Sequence, residues 1–376
     1  MIAGDQQTGR DRSRIVMHVD LDYFFAQCEE VRKPELKTKP VIVCVFSGRT
    51  EDSGVVSTAN YIARKYGVKS GIPIKLAKTR LKQIPEATFL PLDTPYYSKM
   101  SEDAMSLFEL YSDELEHAGI DECYLDVSET AADFASAAEI AQEIKDKVRK
   151  KTGLSCSVGV APNKMLAKIA SDLHKPDGLK VIEPEGAADF ISKMSVEKIP
   201  GIGIKIAIKL QAMGVKTIGE LARLDLFKLV EEFGKKGGAF MYNAARGIDD
   251  EPVIDSQGKK QIGRIVTLKD DASTSSEMYA DLYKLCQSVF EIASSKDVLF
   301  GNIGVLLILN DLDQKSKSKS LKIHSGNFET LHATAKSLLD EAMSGGKKGK
   351  VRRLGVRLSD LQSGAGQHTM SQFMGG

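Results

Sequence analysis

The chain has 376 residues, of which 42% are hydrophobic and 27% are charged, and its formal net charge is only +1. The composition is that of a globular protein, and no apolar stretch is long enough to span a bilayer. Because this length exceeds what one ordinary hydrophobic core holds, we expect two to four domains.

Cysteine and histidine usage excludes two classes of site. The five cysteines are odd in number and scattered, without a CxxC pair, and the six histidines are equally dispersed. This pattern favours reduced core cysteines in a cytoplasmic protein over a disulfide framework or a zinc site. Residues 1–13 lack the apolar centre of a secretion signal, and we interpret them as a short disordered leader.

Strands and helices alternate up to about residue 182, which predicts an α/β or α+β body. Runs rich in β-branched residues predict strands at 14–21, 40–46 and 154–161, with a strand or hairpin at 120–128. Helical spacing predicts helices at 58–68, 94–119, 131–153 and 163–178.

The texture of the sequence changes after residue 182. Residues 183–248 are helical with glycine punctuation, and residues 249–260 have no periodicity and are interpreted as a linker. From residue 261, predicted strands (261–268, 302–311, 351–361) alternate with predicted helices (277–295, 328–343). This pattern indicates a second, smaller α/β domain, followed by a polar, glycine-rich tail.

The C-terminal domain is the more cationic part of the chain. Residues 256–360 carry 17 Lys and Arg against 12 Asp and Glu, whereas residues 1–255 carry 35 against 39. Two basic clusters, 314–322 and 345–353, would each be interpreted singly as a solvated loop. Together on one domain they indicate a polyanionic partner.

Three acids could form a metal site. Asp20 lies at the end of the first predicted strand, and Asp121 and Glu122 lie at the edge of another. If these strands are neighbours, three carboxylates converge and require a cation, and oxygen ligands favour Mg²⁺ or Mn²⁺. On spacing alone, the alternative that strand-end acids are simply solvated stays open. Asp22 would share a strand face with Asp20.

Two further patterns could bind phosphate. Thr58, Tyr61 and Arg64 are each three residues apart, so on a helix they would share one face, and Lys175 could add a contact. An ordinary half-exposed helix face explains them equally well.

The second pattern is a glycine hairpin between two helices. Gly201, Ile202 and Gly203 are followed by Lys205 and Lys209, which would expose backbone amides beside a helix N-terminus. This arrangement binds a DNA backbone phosphate without reading bases, although a tight turn for packing alone would look similar.

These blocks together resemble one known family. "VDLDYFFAQCEE", "STANYIARKYGVKSGIPI", "IDECYLDVS", "SVGVAPNKMLAKIASDLHKPDG" and "IPGIGIKIAIKL" are similar, in order and spacing, to the Y-family DNA polymerases, and most to their archaeal lesion-bypass type. The resemblance covers roughly residues 14 to 360.

The resemblance implies a role for each matching residue. The metal ligands and catalytic acids would be Asp20, Asp121 and Glu122, with the backbone oxygen of Leu21. The nucleotide-binding residues would be Tyr23, Phe24, Phe25, Thr58, Tyr61, Arg64 and Lys175. Phe25 would also be the steric gate that excludes ribonucleotides, and Gly201, Gly203 and Lys205 would contact the DNA backbone. Asp22 matches no metal ligand, so we expect it to be a satisfied structural acid.

The resemblance also implies an α+β right-hand polymerase. The palm would comprise residues 14–23 and 90–182, with small fingers at 24–89. A helical thumb with a helix-hairpin-helix would follow at 183–249, then a linker at 250–260 and an α/β little finger at 261–360. The flexible tail, 361–376, carries Gln367, Met370 and Phe373 in the pattern of a sliding-clamp-binding peptide.

The activity implied is translesion DNA synthesis by a monomer. The substrates would be primer-template DNA and deoxynucleoside triphosphates, with two Mg²⁺ ions per active site and Mn²⁺ as a substitute. We expect low fidelity, because a short fingers segment with small side chains would check base-pair shape weakly, and nothing in the sequence resembles a proofreading exonuclease. The alternative is a non-catalytic DNA-binding scaffold that recruits the clamp. A palm-type nucleotide cyclase would leave the hairpin and the cationic domain unexplained.

Overall fold

The computed structural model describes residues 14–254, 261–344 and 349–364. These residues form two compact units. The first contains residues 14–44, 57–70 and 80–254, and the second contains residues 45–56, 71–79 and the described residues from 261 onward. The predicted leader and the predicted clamp peptide lie outside the described residues, and the predicted domain boundaries stay a prediction.

The N-terminal half alternates strands and helices, as the sequence predicts. In chain order they are β1 (Val16–Leu21), α1 (Phe24–Arg32), β2 (Val41–Phe46), β3 (Gly54–Ala59), α2 (Tyr61–Lys65), α3 (Ile74–Arg80), β4 (Thr88–Pro91), α4 (Thr94–Phe108), β5 (Leu115–His117), β6 (Glu122–Asp126), α5 (Phe134–Thr152), β7 (Cys156–Ala161), α6 (Lys164–Leu173) and β8 (Leu179–Val181).

The sheet predicted to form the palm has five strands, with β1 in its centre. The strand order is β5-β6-β1-β7-β8, and β1 is antiparallel to both of its neighbours. Met17, Val19 and Leu21 belong to one core, whereas Val16 belongs to a second core that includes most of α6. Because side chains alternate along a strand, His18 and Asp20 lie on the α6 side of the sheet.

The predicted helix at 94–119 is too long. Helix α4 ends at Phe108, and Leu115–His117 forms an edge strand that pairs with β6. The pairing sets Leu115 opposite Leu125 and leaves Leu115 only 7% exposed. Burial in the sheet outweighs the helical spacing of the polar residues around it.

The predicted helical segment after the palm contains α7 (Ala187–Ser192), α8 (Ile204–Ala212), α9 (Ile218–Ala222) and α10 (Leu226–Ala244). The predicted linker begins as a fixed segment. The backbone amide of Met165 donates to Asp249 at 2.9 Å, the amide of Ile254 donates to Glu116 at 3.2 Å, and Val253 is 3% exposed. These contacts hold residues 249–254 against α6 and β5.

The C-terminal domain is an antiparallel sheet covered by two helices. Its elements are β9 (Gln261–Ala272), α11 (Tyr279–Ser295), β10 (Val298–Leu309), β11 (Gln314–Ser325), α12 (Phe328–Ser344) and β12 (Val351–Ser363), with the strand order β11-β10-β12-β9. The basic cluster at 314–322, which could be a solvated loop on sequence grounds, is part of edge strand β11. Lysine on an edge strand discourages pairing with another chain.

All five cysteines are buried, which agrees with their prediction as core residues. Among the described helices, none combines the length and the apolar character that a membrane crossing needs.

Candidate active site

Strand pairing brings the predicted acidic residues together although a hundred residues separate them in the chain. Asp20 at the end of β1 is directly opposite Glu122 at the start of β6. The backbone amide of Leu21 donates to the carbonyl of Asp121 at 2.8 Å. The two acidic segments therefore lie side by side, as the sequence predicts.

The side chains of His18, Asp20 and Glu122 form a tight group. One potential ligand atom from each lies within 4.8 Å of the other two, and the group is buried or half-buried. Asp121 is not part of this group, although its charge contributes to the electrostatics of Asp20. His18 was not predicted, and its contacts are described below.

Two lysines neutralise the acids. Lys175 lies 2.7 Å from Asp20 Oδ2 and 2.7 Å from Asp172 Oδ1, and the Lys168 ammonium donates to Glu122 Oε2. Lys175 was predicted as a phosphate contact, whereas Lys168 was not predicted at all. Both lysines are half-buried, so their charges act through a partly dry environment.

Burial and charge shift the three acids in different directions. Burial raises the pKa of Asp20 to about 7, although Lys175 opposes this shift. Burial, followed by the neighbouring Glu122 charge, also raises the pKa of Asp121. The hydrogen bond from His18, assisted by Lys168, lowers the pKa of Glu122 to about 2. The site therefore needs added positive charge before all three carboxylates ionise at neutral pH.

The donor set fits a hard divalent cation. Carboxylate oxygens make up most of this set. The neighbouring Cys123 does not offer a thiolate ligand, because burial raises the pKa of its thiol well above the usual range. Oxygen donors of this kind suit Mg²⁺ or Mn²⁺ better than zinc. The assignment of Asp20, Asp121 and Glu122 as the ligands of such ions stays a prediction.

Tyr61 and Arg64 form a polar group at the start of α2. The Arg64 guanidinium lies 4.7 Å above the Tyr61 ring, and its Nε donates to the Ala59 carbonyl at 2.8 Å. The Tyr61 ring makes an edge contact with Tyr23 at 5.3 Å. The prediction that Thr58 shares their helix face is wrong, because Thr58 lies on β3 and the helix begins at Tyr61, capped by Asn60.

Phe25 has a rigid support. Its ring stacks on Tyr97 with centroids 4.7 Å apart and an interplanar angle of 23°. Tyr97 is fully buried, and its hydroxyl donates to Glu29 at 2.8 Å. Phe24 is 1% exposed, so only its backbone can reach a nucleotide.

Asp22, the second acid near the end of β1, has a structural role. It is fully buried just beyond β1, and it accepts hydrogen bonds of 2.7 Å from Ser155 and Ser157 and of 2.8 Å from the amide of Asp177. Every contact is structural, in agreement with its prediction as a satisfied acid.

The glycine hairpin forms as predicted before α8. Gly201 has φ +95°, and a Cβ there would lie 3.2 Å from the Phe240 ring, so the turn favours glycine for two reasons. Gly203 caps α8 and Lys205 is exposed. The exposed turn and helix N-terminus are suited to a phosphate group.

Three family models match the sequence. Residues 19–172 match the impB/mucB/samB family, residues 197–249 match the DNA polymerase-iota thumb domain, and residues 259–370 match the impB/mucB/samB family C-terminal domain. The first match includes the three acids, and the second includes the glycine hairpin.

Two curated proteins are similar over nearly their whole length. DNA polymerase IV of Nitrosopumilus maritimus (strain SCM1) is 48% identical, over 96% of this chain and 99% of that protein. DNA polymerase IV of Methanosarcina acetivorans is 40% identical, over the same shares of the two chains.

Solved structures are similar as well. A Y-family DNA polymerase chimera of Dbh and Dpo4 has a TM-score of 0.87 and 37% identity, over 93% of this chain and 99% of that chain. An insertion ternary complex of Dbh DNA polymerase has a TM-score of 0.67 and 36% identity, over the same shares.

Proposed function

The chain belongs to the impB/mucB/samB family, the Y-family DNA polymerases, and we propose that it extends a primer on damaged DNA by metal-assisted phosphoryl transfer at Asp20, Asp121 and Glu122. It is a DNA-directed DNA polymerase of the translesion type. The observation that carries the proposal is the direct pairing of Asp20 with Glu122 across two neighbouring strands. The non-catalytic scaffold is not favoured, since all three acids are present.

The acidic residues would prepare the site for two divalent ions, Mg²⁺ or Mn²⁺. When bound, such ions lower the pKa of the primer 3′-hydroxyl and neutralise the departing pyrophosphate. Asp20 and Glu122 are opposite one another on adjacent strands of the sheet. The two carboxylates are therefore already close together before an ion binds, and the backbone does not have to reorganise. Lys175, Tyr61 and Arg64 would orient the triphosphate of the incoming deoxynucleotide.

Two surfaces would hold the primer-template duplex. One is the hairpin of Gly201, Gly203 and Lys205, which offers backbone amides and a cation. The other is the face of the little finger opposite α11 and α12, where Arg357 lies between Gly304 and Gly263 of the neighbouring strands and Arg353 lies on the same face of β12. The exposed Lys317 and Lys319 of strand β11 pair with core residues of β10, so they add positive charge along the sheet edge and not on this open face. Phosphate contacts of this kind position a duplex without reading its sequence.

A primer-extension assay tests the proposed function. The full chain, a labelled primer-template and one deoxynucleotide at a time should give extension by single nucleotides only when Mg²⁺ or Mn²⁺ is added. A scaffold protein would bind the duplex without extending the primer. A cyclase would instead convert the free triphosphate without requiring DNA.

Arg64→Ala should raise the KM for the incoming deoxynucleotide by roughly tenfold, because a bidentate guanidinium contact to phosphate is lost. Arg64→Lys should recover only part of this effect, since an ammonium cannot reproduce the planar fork. Steady-state kinetics at saturating DNA measures both. The assignment fails if the KM of Arg64→Ala equals that of Lys65→Ala, a neighbouring exposed cation used as the control.

We also propose that the tail binds a sliding clamp. Deleting residues 366–376 should abolish clamp-stimulated synthesis and leave synthesis without the clamp intact, because the proposed contact lies within this short peptide. A triple alanine variant at Gln367, Met370 and Phe373 should behave like the deletion, whereas His368→Ala should behave like the wild type. Equal stimulation of the triple variant and the wild type would refute clamp binding through this peptide.

A further inference from the structure

His18 is a buried polar residue that contacts the metal site without having been predicted as part of it. It is fully buried on β1, and its ring lies 4.6 Å from the ring of Tyr124. One ring nitrogen, Nδ1, lies 2.7 Å from Ser171 Oγ on α6. The other, Nε2, lies 3.2 Å from Glu122 Oε2.

The contacts of the ring determine where its proton lies. The Ser171 hydroxyl at Nδ1 also donates to the backbone carbonyl of Lys168 at 2.9 Å, so Ser171 is itself fixed within α6. The Glu122 carboxylate, which also pairs with Lys168, can only accept a hydrogen bond, so the ring nitrogen that faces it, Nε2, is the donor. The hydrogen-bond partners therefore assign the proton to Nε2, which donates to Glu122.

We propose that His18, held by Ser171, is a positioning residue that fixes the Glu122 carboxylate for a divalent cation. The inference rests on the proposed metal site. A ring that is fully buried and hydrogen-bonded at both nitrogens has one orientation, so the oxygen it contacts is fixed as well. A hydrogen-bonded partner of this kind orients a metal-binding carboxylate and tunes its affinity.

Lys168 also contacts Glu122 Oε2, but it is a different kind of partner. Its side chain is 25% exposed and carries its ammonium on a flexible four-carbon stem. The ammonium lies 3.5 Å from His18 Nε2. A flexible lysine can neutralise the Glu122 carboxylate from many positions, whereas the fixed imidazole donates a hydrogen bond to it in one direction. The two roles can be distinguished by experiment, because orienting the carboxylate requires a hydrogen-bond donor at the position of Nε2 and not a change in net charge.

Mn²⁺ binding to the full chain, measured by electron paramagnetic resonance without DNA or nucleotide, tests the proposal. His18→Leu removes the donor at similar volume and should weaken Mn²⁺ binding by about tenfold. His18→Gln keeps an amide N–H near the position of Nε2 and should restore binding to within about twofold of the wild type. Ser171→Ala should weaken binding to an intermediate extent, because the ring loses its second hydrogen bond.

Ser157→Ala is the matched control. Ser157 is also a fully buried palm serine, but its hydroxyl donates to Asp22, which is not among the proposed metal ligands. We expect lower thermal stability and unchanged Mn²⁺ affinity. Should His18→Leu fail to fold, the comparison of Ser171→Ala with Ser157→Ala decides the question.

A kinetic signature separates positioning from general destabilisation. His18→Leu should lose kcat at limiting Mg²⁺ and regain it when Mg²⁺ is raised, with the KM for the nucleotide unchanged. A folded His18→Leu with wild-type Mn²⁺ affinity would overturn the proposal, as would ¹⁴N coupling from a histidine directly bound to Mn²⁺. Either result would leave the polymerase assignment intact, since that assignment depends on primer extension and on Asp20.

Discussion

Replacing Asp20 with asparagine should reduce primer extension by roughly a thousandfold, because the variant loses a charged oxygen ligand at the point where strands β1 and β6 meet. The loss should fall on kcat, with duplex binding unchanged, since Asp20 is proposed as a ligand of the catalytic ions and lies outside the hairpin and the little finger. Single-turnover extension on a fixed primer-template measures this change, and a binding titration on the same duplex provides the comparison.

Asp126→Asn is the control for this prediction. Asp126 lies on the same strand as Glu122, and it is also partly buried, but its carboxylate pairs with Arg14 at 3.1 Å and bonds to Ser128. Its replacement should leave kcat nearly unchanged. If Asp20→Asn retained as much activity as Asp126→Asn, Asp20 would have no catalytic role.

The second large effect concerns the sugar of the incoming nucleotide. Phe25→Ala should increase ribonucleotide incorporation relative to deoxynucleotide incorporation by about 100-fold, because removing the ring opens space for a 2′-hydroxyl. We expect the ring to be a rigid barrier because it stacks on Tyr97, which is itself fully buried and hydrogen-bonded to Glu29. The ratio of kcat/KM for matched ribo- and deoxynucleotides measures the effect.

Phe25→Tyr is the conservative variant for the gate. It keeps the ring and its stacking on Tyr97, so it should still exclude ribonucleotides. If Phe25→Ala and Phe25→Tyr discriminated equally well, the gate would have to be another group.

Much of the site was predictable because its acids end strands whose apolar residues mark them clearly. The run from Arg14 to Leu21 is β-branched and apolar, and Cys123 and Leu125 mark its partner, so the juxtaposition of Asp20 with Glu122 follows from pairing two recognisable strands. The role of Asp22 followed too, since an acid that matches no ligand position had to be satisfied by the protein itself.

Other parts depend on tertiary contacts that local patterns do not reveal. Strand β11 consists largely of alternating lysine and serine, and it is a strand only because β10 pairs with it. The spacing of residues around Leu115–His117 is helical, and the segment is a strand only because it pairs with β6. Thr58 has helical spacing to Tyr61 and Arg64, yet Asn60 caps the helix and excludes it.

The contacts of His18 and Lys168 could have been found only in part. His18 precedes Asp20 by two residues, so strand alternation places both on one face, and that signal was available in the sequence. Ser171 and Lys168 reach the same face from α6, a helix whose packing on β1 is a property of the folded sheet.

The most direct test of the account is the position of Mn²⁺ in crystals of the full chain grown with primer-template and a non-hydrolysable deoxynucleotide. Anomalous scattering should place Mn²⁺ within coordination distance of carboxylate oxygens from Asp20, Asp121 and Glu122. Ions bound elsewhere, with these three side chains still paired only to lysine and histidine, would contradict the proposed catalytic centre.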